Sequence, residues 1–149
     1  MKKKVVSGIL AALVVVIASA AIWWNSPTYF LKRTTPEDIS KIEVFNGNNG
    51  DSFEVIDSED ISFIVEHIQQ VPMKKEKIAM GMGTTYNLRF YDESGEEKEF
   101  FIINSKNSIR DGVMFYQCDG ELETTEQYLI HLEGEHFPDS EWVKENMNH

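Results

Sequence analysis

The amino-acid sequence predicts an α+β protein in which an N-terminal transmembrane helix is followed by one small domain. An apolar segment, residues 5–24, carries no charge. Beyond it, short segments of alternating apolar and polar residues occur in pairs, and two longer segments have the apolar spacing of a helix. Because strands that come in hairpins pair antiparallel, we expect the order β-β-α-β-β-β-α, an antiparallel sheet of about five strands with two helices on one face.

The N-terminal segment has the length and charge pattern of a membrane anchor. As a helix, residues 5–24 would span about 30 Å, the thickness of the hydrocarbon core of a bilayer. Three lysines precede the segment, which favours a cytoplasmic N-terminus and an extracytoplasmic C-terminal domain. Trp23 and Trp24 end it, and indole rings prefer the headgroup layer. We predict a single-pass protein of the cell membrane that contacts the lipid bilayer through residues 5–24.

A cleaved signal peptide is the alternative interpretation of the same segment. Ala18, Ser19 and Ala20 have the small-x-small pattern that signal peptidase recognises, and cleavage after Ala20 would give a secreted protein. We favour the anchor because the apolar run continues to Trp24. In either case residues 1–24 form the anchor or signal peptide.

The exported part divides into a short linker, residues 25–34, and one domain, residues 35–149. All 25 acidic residues but only 11 of the 14 basic residues follow residue 24, so the exported part has a formal charge of −14 with histidines neutral. Such a surface repels nucleic acid, which we exclude as a partner, and suits solvation or a cationic partner. The lone Cys118 allows no internal disulfide, so an ordinary apolar core must stabilise the domain.

The domain begins with a helical turn and a β-hairpin. Thr35 and Pro36 have the residue types of a helix start that lasts one turn. Apolar and polar residues alternate at 40–45 and again at 53–55. Between them lies a turn at 46–50 that contains two Asn-Gly pairs. This pattern predicts two antiparallel strands.

A helix follows the hairpin. Asp57 or Ser58 is its expected N-cap, and Pro72 ends it. Its apolar residues have the spacing i, i+3, i+4, i+7 and form one stripe: Ile61, Ile64, Val65 and Ile68. We expect this stripe to pack on the sheet.

Three further strands and a second helix are predicted in the remaining sequence. Apolar and polar residues alternate over 84–91, which predicts a strand. An acidic turn follows at 92–97, and residues 98–104 form the strand that returns beside it. Asp-Gly pairs bracket a strand at 113–118. The second helix is expected at 124–133.

The end of the chain gives weaker signals. Gly134 is expected to stop the second helix, because glycine is common just past a helix C-terminus. Asp139 could start another short helical turn, with Trp142 and Val143 facing inward.

The first half of the exported part resembles a known group of proteins. The pattern Glu-Asp-Ile-x-x-Ile occurs at residues 37–42 and again within 57–68, after the predicted hairpin. This pattern resembles small, uncharacterised exported or membrane-anchored domains of Gram-positive bacteria. The resemblance implies a cell-envelope protein and transfers no catalytic residue.

No motif in the sequence predicts catalysis. The stretch at 131–136, HLEGEH, has its histidines five apart rather than the four that a zinc-protease helix needs. The acids at 92–97 form a turn of like charges, which supplies neither the fixed separation nor the unequal environments of a catalytic carboxylate pair. We therefore predict a non-enzymatic protein with no catalytic residue, no metal site and no cofactor.

The connection at residues 73–83 is the candidate partner surface. We expect it to be a flexible loop with basic and methionine side chains in an otherwise acidic protein. The candidate residues are Lys74, Lys75, Lys77, Met80 and Met82. Methionines tucked under the sheet edge and lysines that serve solubility are the alternative explanation.

The predicted function is a binding or interaction module displayed outside the membrane, with an unknown protein or envelope partner. An immunity or inhibitor protein that acts against a secreted toxin or an envelope hydrolase is the first alternative, since acidity suits a cationic target. An envelope hydrolase without a recognisable motif is the second.

Overall fold

The computed structural model describes residues 2–76 and 85–147, with side chains from residue 8 onward. The helices are α1 (Lys2–Asn25), α2 (Ser58–Gln70), α3 (Glu123–His136) and α4 (Glu141–Asn146), and a 3-10 turn spans Pro36–Asp38. The strands are β1 (Lys41–Asn46), β2 (Ser52–Val55), β3 (Lys74–Glu76), β4 (Tyr86–Tyr91), β5 (Glu97–Ser105), β6 (Ser108–Asp111) and β7 (Met114–Gln117). This confirms the α+β class with one N-terminal apolar helix and an antiparallel sheet.

The predicted element counts are wrong. Within the described ranges the sheet has seven strands and the fold has four α-helices, instead of about five strands and two helices. The missed strands carry almost no apolar signal: β3 is Lys-Lys-Glu, and β6 buries only Ile109. Both are held by backbone pairing to β7, and β6 also pairs with β5. The start of the predicted flexible loop is therefore an edge strand.

The strands lie in the order β2-β1-β4-β5-β6-β7-β3, and every pair is antiparallel. Strands β4 to β7 form a meander, and α2 separates the β1–β2 hairpin from β3. The edges are β2 and β3. At the usual spacing between strands, these edges are about 29 Å apart.

One face of the sheet packs against α2 and α3 to form the core. Asp57 caps α2, with its Oδ1 accepting a hydrogen bond from the backbone N–H of Glu59 at 2.8 Å. The predicted stripe of α2 is buried: Ile61, Ile64, Val65 and Ile68. The helix ends at Gln70, two residues before Pro72, as predicted.

The prediction that Gly134 ends α3 is wrong. The helix continues to His136 and ends where Phe137 precedes Pro138, a position that disfavours helical backbone. A Cβ atom on Gly134 would lie 2.8 Å from Met147 Sδ and 3.1 Å from Val143 Cγ1. The glycine therefore permits close packing of the C-terminal segment on α3.

The last helix is longer than the predicted turn and has a different cap. Ser140, rather than Asp139, is the N-cap of α4, and its Oγ accepts from the backbone N–H of Val143. Val143 is buried and Trp142 is half-buried, in the predicted orientation.

The segment expected to be a linker, residues 25–34, contributes to the core. Phe30 and Leu31 are buried, and the ring centres of Phe30 and Phe101 are 5.3 Å apart. Thr28 forms an antiparallel bridge with Met73 through backbone hydrogen bonds of 2.7 and 2.9 Å. The chain therefore enters the domain three residues after α1 ends.

Candidate functional site

The face of the sheet that points away from α2 and α3 is the candidate site, and we call it the open face. Along each strand its residues alternate with core residues, as in β1, where Glu43 and Phe45 flank the buried Val44. Large apolar side chains on this face are Phe45, Phe100, Ile102 and Phe115. Phe45 is 41% exposed and the other three are half-buried. A domain that buried all of its apolar surface internally would not show this pattern.

The strand register places several of these residues in one row. Phe45 of β1 is opposite Asn87 of β4, which is opposite Ile102 of β5. Ile102 is opposite Arg110 of β6, which is opposite Phe115 of β7. Apolar and polar side chains thus alternate across five adjacent strands.

Two of the three arginines in the chain lie on the open face, each beside a phenylalanine. The guanidinium of Arg89 lies 4.6 Å from the ring centre of Phe100, its neighbour across the strands. That of Arg110 lies 5.7 Å from the ring centre of Phe115. Both distances are within the range of cation–π attraction. The arginines therefore lie along the apolar side chains.

A groove of about 400 Å³ crosses the open face over β2, β1 and β4. Phe45, Asn87 and Arg89 line it. The Oδ1 atom of Asn87 is buried and accepts no hydrogen bond from the described residues. The groove thus combines an apolar wall with a cation.

A polar network occupies the β1–β2 side of the open face. Lys41 Nζ bonds to Glu43 at 2.8 Å and to Glu54 at 2.9 Å, and the Tyr91 hydroxyl donates to Glu43 at 2.9 Å. The bonds from Lys41 and Tyr91 lower the pKa of Glu43, and the bond to Glu43 raises the pKa of Tyr91. Glu43 is therefore ionised at neutral pH.

The open face is balanced in charge although the exported part is strongly acidic. Its charged residues are Lys41, Lys74, Arg89 and Arg110 against Glu43, Glu54, Glu76 and Glu97. The net acidity of the domain therefore lies on its other surfaces.

A second polar cluster lies at one end of the core around Glu133, a fully buried residue of α3. Its carboxylate accepts from Asn46 Nδ2 at 2.9 Å, from Asn49 Nδ2 at 2.7 Å and from the Tyr86 hydroxyl at 2.7 Å. Burial, together with the bond to Glu133, raises the pKa of Tyr86. The cluster fastens the β1–β2 turn to α3, which is a structural role.

Our sequence reasoning did not select Glu133, although a signal was present. Glu133 follows the buried Leu129 by four positions and Ile130 by three, so it lies on the buried face of α3. An acidic residue on the apolar face of a helix indicates a buried carboxylate, whose partners must come from elsewhere in the fold.

The histidines of the HLEGEH stretch lie apart in the structure. His131 is exposed and lies 3.6 Å from Glu135, whereas the ring of His136 stacks on Phe53 at 5.1 Å. Across residues 2–76 and 85–147, no group of three or more His, Cys, Asp or Glu side chains is arranged to hold a metal ion.

The structure describes only two of the predicted partner-surface residues. Lys74 is exposed in the edge strand β3, and Lys75 is half-buried beside it. Lys77, Met80 and Met82 lie outside the described residues. Lys75 Nζ donates to the backbone carbonyl of Trp23 at 2.9 Å and lies 4.5 Å from the centre of the Trp23 ring. It therefore joins β3 to the end of α1.

The apolar helix α1 is long and apolar enough to span a membrane, and a signal sequence has the same properties. Its described side chains are unburied. Trp23 is 59% exposed, and its ring meets that of Trp24 edge-on, with centres 6.3 Å apart. Both indoles lie in the last turn, where the sequence predicts the membrane interface.

Comparison with protein-family models, with curated proteins and with solved structures gives no match to this chain.

Proposed function

We propose that the protein is a membrane-anchored, non-enzymatic binding module that presents its domain outside the cell and binds a protein partner through the open face. The observation that carries this proposal is the row of partly exposed Phe45, Ile102 and Phe115 with Arg110 within it. Aromatic residues and arginine are enriched in protein–protein interfaces and dominate their binding energy.

The electrostatics of the domain favour a different protein over a second copy of this chain. Two copies that met through their open faces would bring two domains of charge −14 together, and like charges oppose such association. On the open face itself the charges balance, so a partner with an apolar patch can approach it. Arg89 donates to the carboxylate of Glu97 at 2.7 Å, and Arg110 donates to the carbonyl of Gly112 at 2.9 Å. Because a guanidinium has five N–H donors, each arginine has further donors for a carboxylate at the edge of that patch.

Site-specific photo-crosslinking in intact cells tests this assignment. A benzophenone amino acid at Phe45 or Phe115 is expected to capture one partner protein of defined mass. The same probe at Glu66 or Gln127, exposed positions on α2 and α3, is the matched control and is expected to capture none.

The arginines provide the second arm of this experiment. Replacing Arg89 and Arg110 with alanine should lower the crosslinking yield at Phe45 at least about fivefold, since interface arginines often cost more than about 1 kcal/mol when truncated. Equal capture from the helix positions, or capture insensitive to both arginines, would contradict binding through the open face.

The same experiment distinguishes the alternative function. An immunity or inhibitor protein would capture a secreted toxin or an envelope hydrolase, and its deletion would sensitise cells to that protein. A resident membrane or envelope protein as the captured partner would support the interaction module instead.

A further inference from the structure

Basic and aromatic residues occur in the two segments that meet where α1 enters the domain. We call this set the collar: Trp23, Trp24, Tyr29, Lys32, Arg33, Lys74 and Lys75. The bridge between Thr28 and Met73 brings its two segments together, one following α1 and the other forming β3. Residues far apart in sequence therefore share one edge of the molecule.

The collar concentrates positive charge in a domain that is otherwise acidic. No acidic residue occurs from Asn25 to Pro36, and four of the 11 basic residues of the exported part belong to the collar. Lys32, Arg33 and Lys74 are exposed. Acidic Glu76 follows in β3, so the collar is positive around the helix end and meets the acidic surface beyond it.

Lys75 is half-buried and is the collar cation that joins the two segments of the collar. It donates to the carbonyl of Trp23 and lies over the ring of the same residue. The last carbonyls of a helix carry partial negative charge, so a cation there stabilises the helix end. Lys75 therefore holds β3 against α1. The other three cations are exposed to solvent, with Lys32 Nζ 5.5 Å from the centre of the Tyr29 ring, and their charges can meet an external anion.

The connection between helix and domain is too short to separate them. Three residues lead from Asn25 to Thr28, which at full extension is about 10 Å. A headgroup layer is roughly 5–8 Å thick, and charges interact over about 10 Å at 0.1 M salt. If α1 spans the bilayer, the collar lies within reach of the headgroups.

We infer that the collar binds anionic lipid headgroups and seats the β3 edge of the sheet on the membrane. Trp23 is 59% exposed and Tyr29 is 38% exposed, as suits aromatic side chains at a lipid interface. With β3 on the bilayer, the opposite edge, β2, points outward, and the open face stands beside the membrane rather than against it. This inference rests on the proposed anchoring by α1.

Hydrogen exchange of the full chain in nanodiscs tests the seating. One set of discs contains phosphatidylcholine alone, and the other contains about one third phosphatidylglycerol. Amides of residues 29–34 and 73–76 are expected to exchange at least about fivefold more slowly in the anionic discs. Amides of β2 should exchange equally in both. Added salt should remove the difference, because it screens charges.

Charge reversal supplies the matched variants. Lys32→Glu/Arg33→Glu/Lys74→Glu alters only exposed side chains and should abolish the lipid-dependent protection. Lys98→Glu/Lys106→Glu/Lys144→Glu makes the same change in net charge outside the collar and should preserve it. Lys75 is retained in both because it is tied to α1. Thermal unfolding of each variant checks that the domain remains folded.

Equal exchange of the collar amides in neutral and anionic discs would overturn the inference, and so would protection that survives reversal of the collar charges. Gel filtration tests membrane anchoring separately, because an anchored chain elutes together with the disc. A chain that elutes without the disc would refute anchoring, whereas a chain that stays with the disc without lipid-dependent protection would refute only the seating.

Discussion

Glu133 is a buried carboxylate whose hydrogen bonds come from Asn46, Asn49 and Tyr86. A charge in the interior is tolerated only when donors fill its lone pairs. The donors belong to β1, to the β1–β2 turn and to β4, so a single side chain of α3 connects these parts of the fold. Removing it leaves the buried donors of Asn46 and Tyr86 without this acceptor, whereas Asn49 is exposed and also donates to Asp51.

We predict that Glu133→Ala lowers the free energy of unfolding by about 3 kcal/mol, the order expected when buried donors lose a charged acceptor. Tyr86→Phe removes one donor and keeps the carboxylate, so it should cost less, about 1.5 kcal/mol. Urea unfolding of the full chain in detergent, followed by near-UV circular dichroism, measures both. A Glu133→Ala protein within 0.5 kcal/mol of the wild type would disprove the role of the cluster.

Gly134 lies where the C-terminal segment packs closely on α3. The glycine lies within α3, where Met147 and Val143 of the C-terminal segment approach it. Glycine in a helix interior costs about 1 kcal/mol relative to alanine, and close packing of α4 on α3 offsets this cost.

We predict that Gly134→Leu destabilises the domain by about 2 kcal/mol, because a large side chain must displace Val143 from the core. Gly134→Ala should change stability by less than about 0.5 kcal/mol, since the gain in helix propensity offsets the tighter contact with Met147, whose side chain is 49% exposed and can move. Thermal unfolding compares the two. Equal stability of the leucine and alanine variants would show that α4 does not pack as described.

The elements differ in how far the sequence predicted them. The stripe and the end of α2 were predicted correctly, because its apolar residues repeat with the helical period. The sequence left Asp57 and Ser58 as alternative caps, and Asp57 is the one observed. Strands β3 and β6 were missed because they are defined by backbone pairing with neighbouring strands. Each has only three or four residues, too few to show an alternation of apolar and polar side chains. The extension of α3 past Gly134 was missed because local propensity predicts a stop there.

The candidate site shows the same division. Sequence reasoning selected Lys75 as a partner-binding cation, and its contact with Trp23 depends on a bridge between residues 28 and 73. The open face was not selected, since Phe45, Ile102 and Phe115 become neighbours only through the register of five strands.

At the scale of the whole molecule, the proposed topology predicts which parts a protease can reach. Protease added to whole cells should digest residues 25–149 without lysis, because in the proposed topology the chain crosses the membrane once with its N-terminus inside. The intact mass of the mature protein should include residues 1–20 if α1 is an anchor. Protection of the domain until lysis would overturn the topology, and loss of the first 20 residues would indicate a cleaved signal peptide.

By itself, the sequence determined the apolar N-terminal helix, the α+β class, the hairpin and α2, because each depends on composition or on a periodicity within one segment. The tertiary structure alone decided the number and order of strands, the burial of Phe30 and Leu31, the Glu133 cluster and the residues that share the open face and the collar. These features arise where segments far apart in the chain meet. Their stability depends on which pairs of residues come into contact, and the pattern of residues within one segment does not predict those pairs.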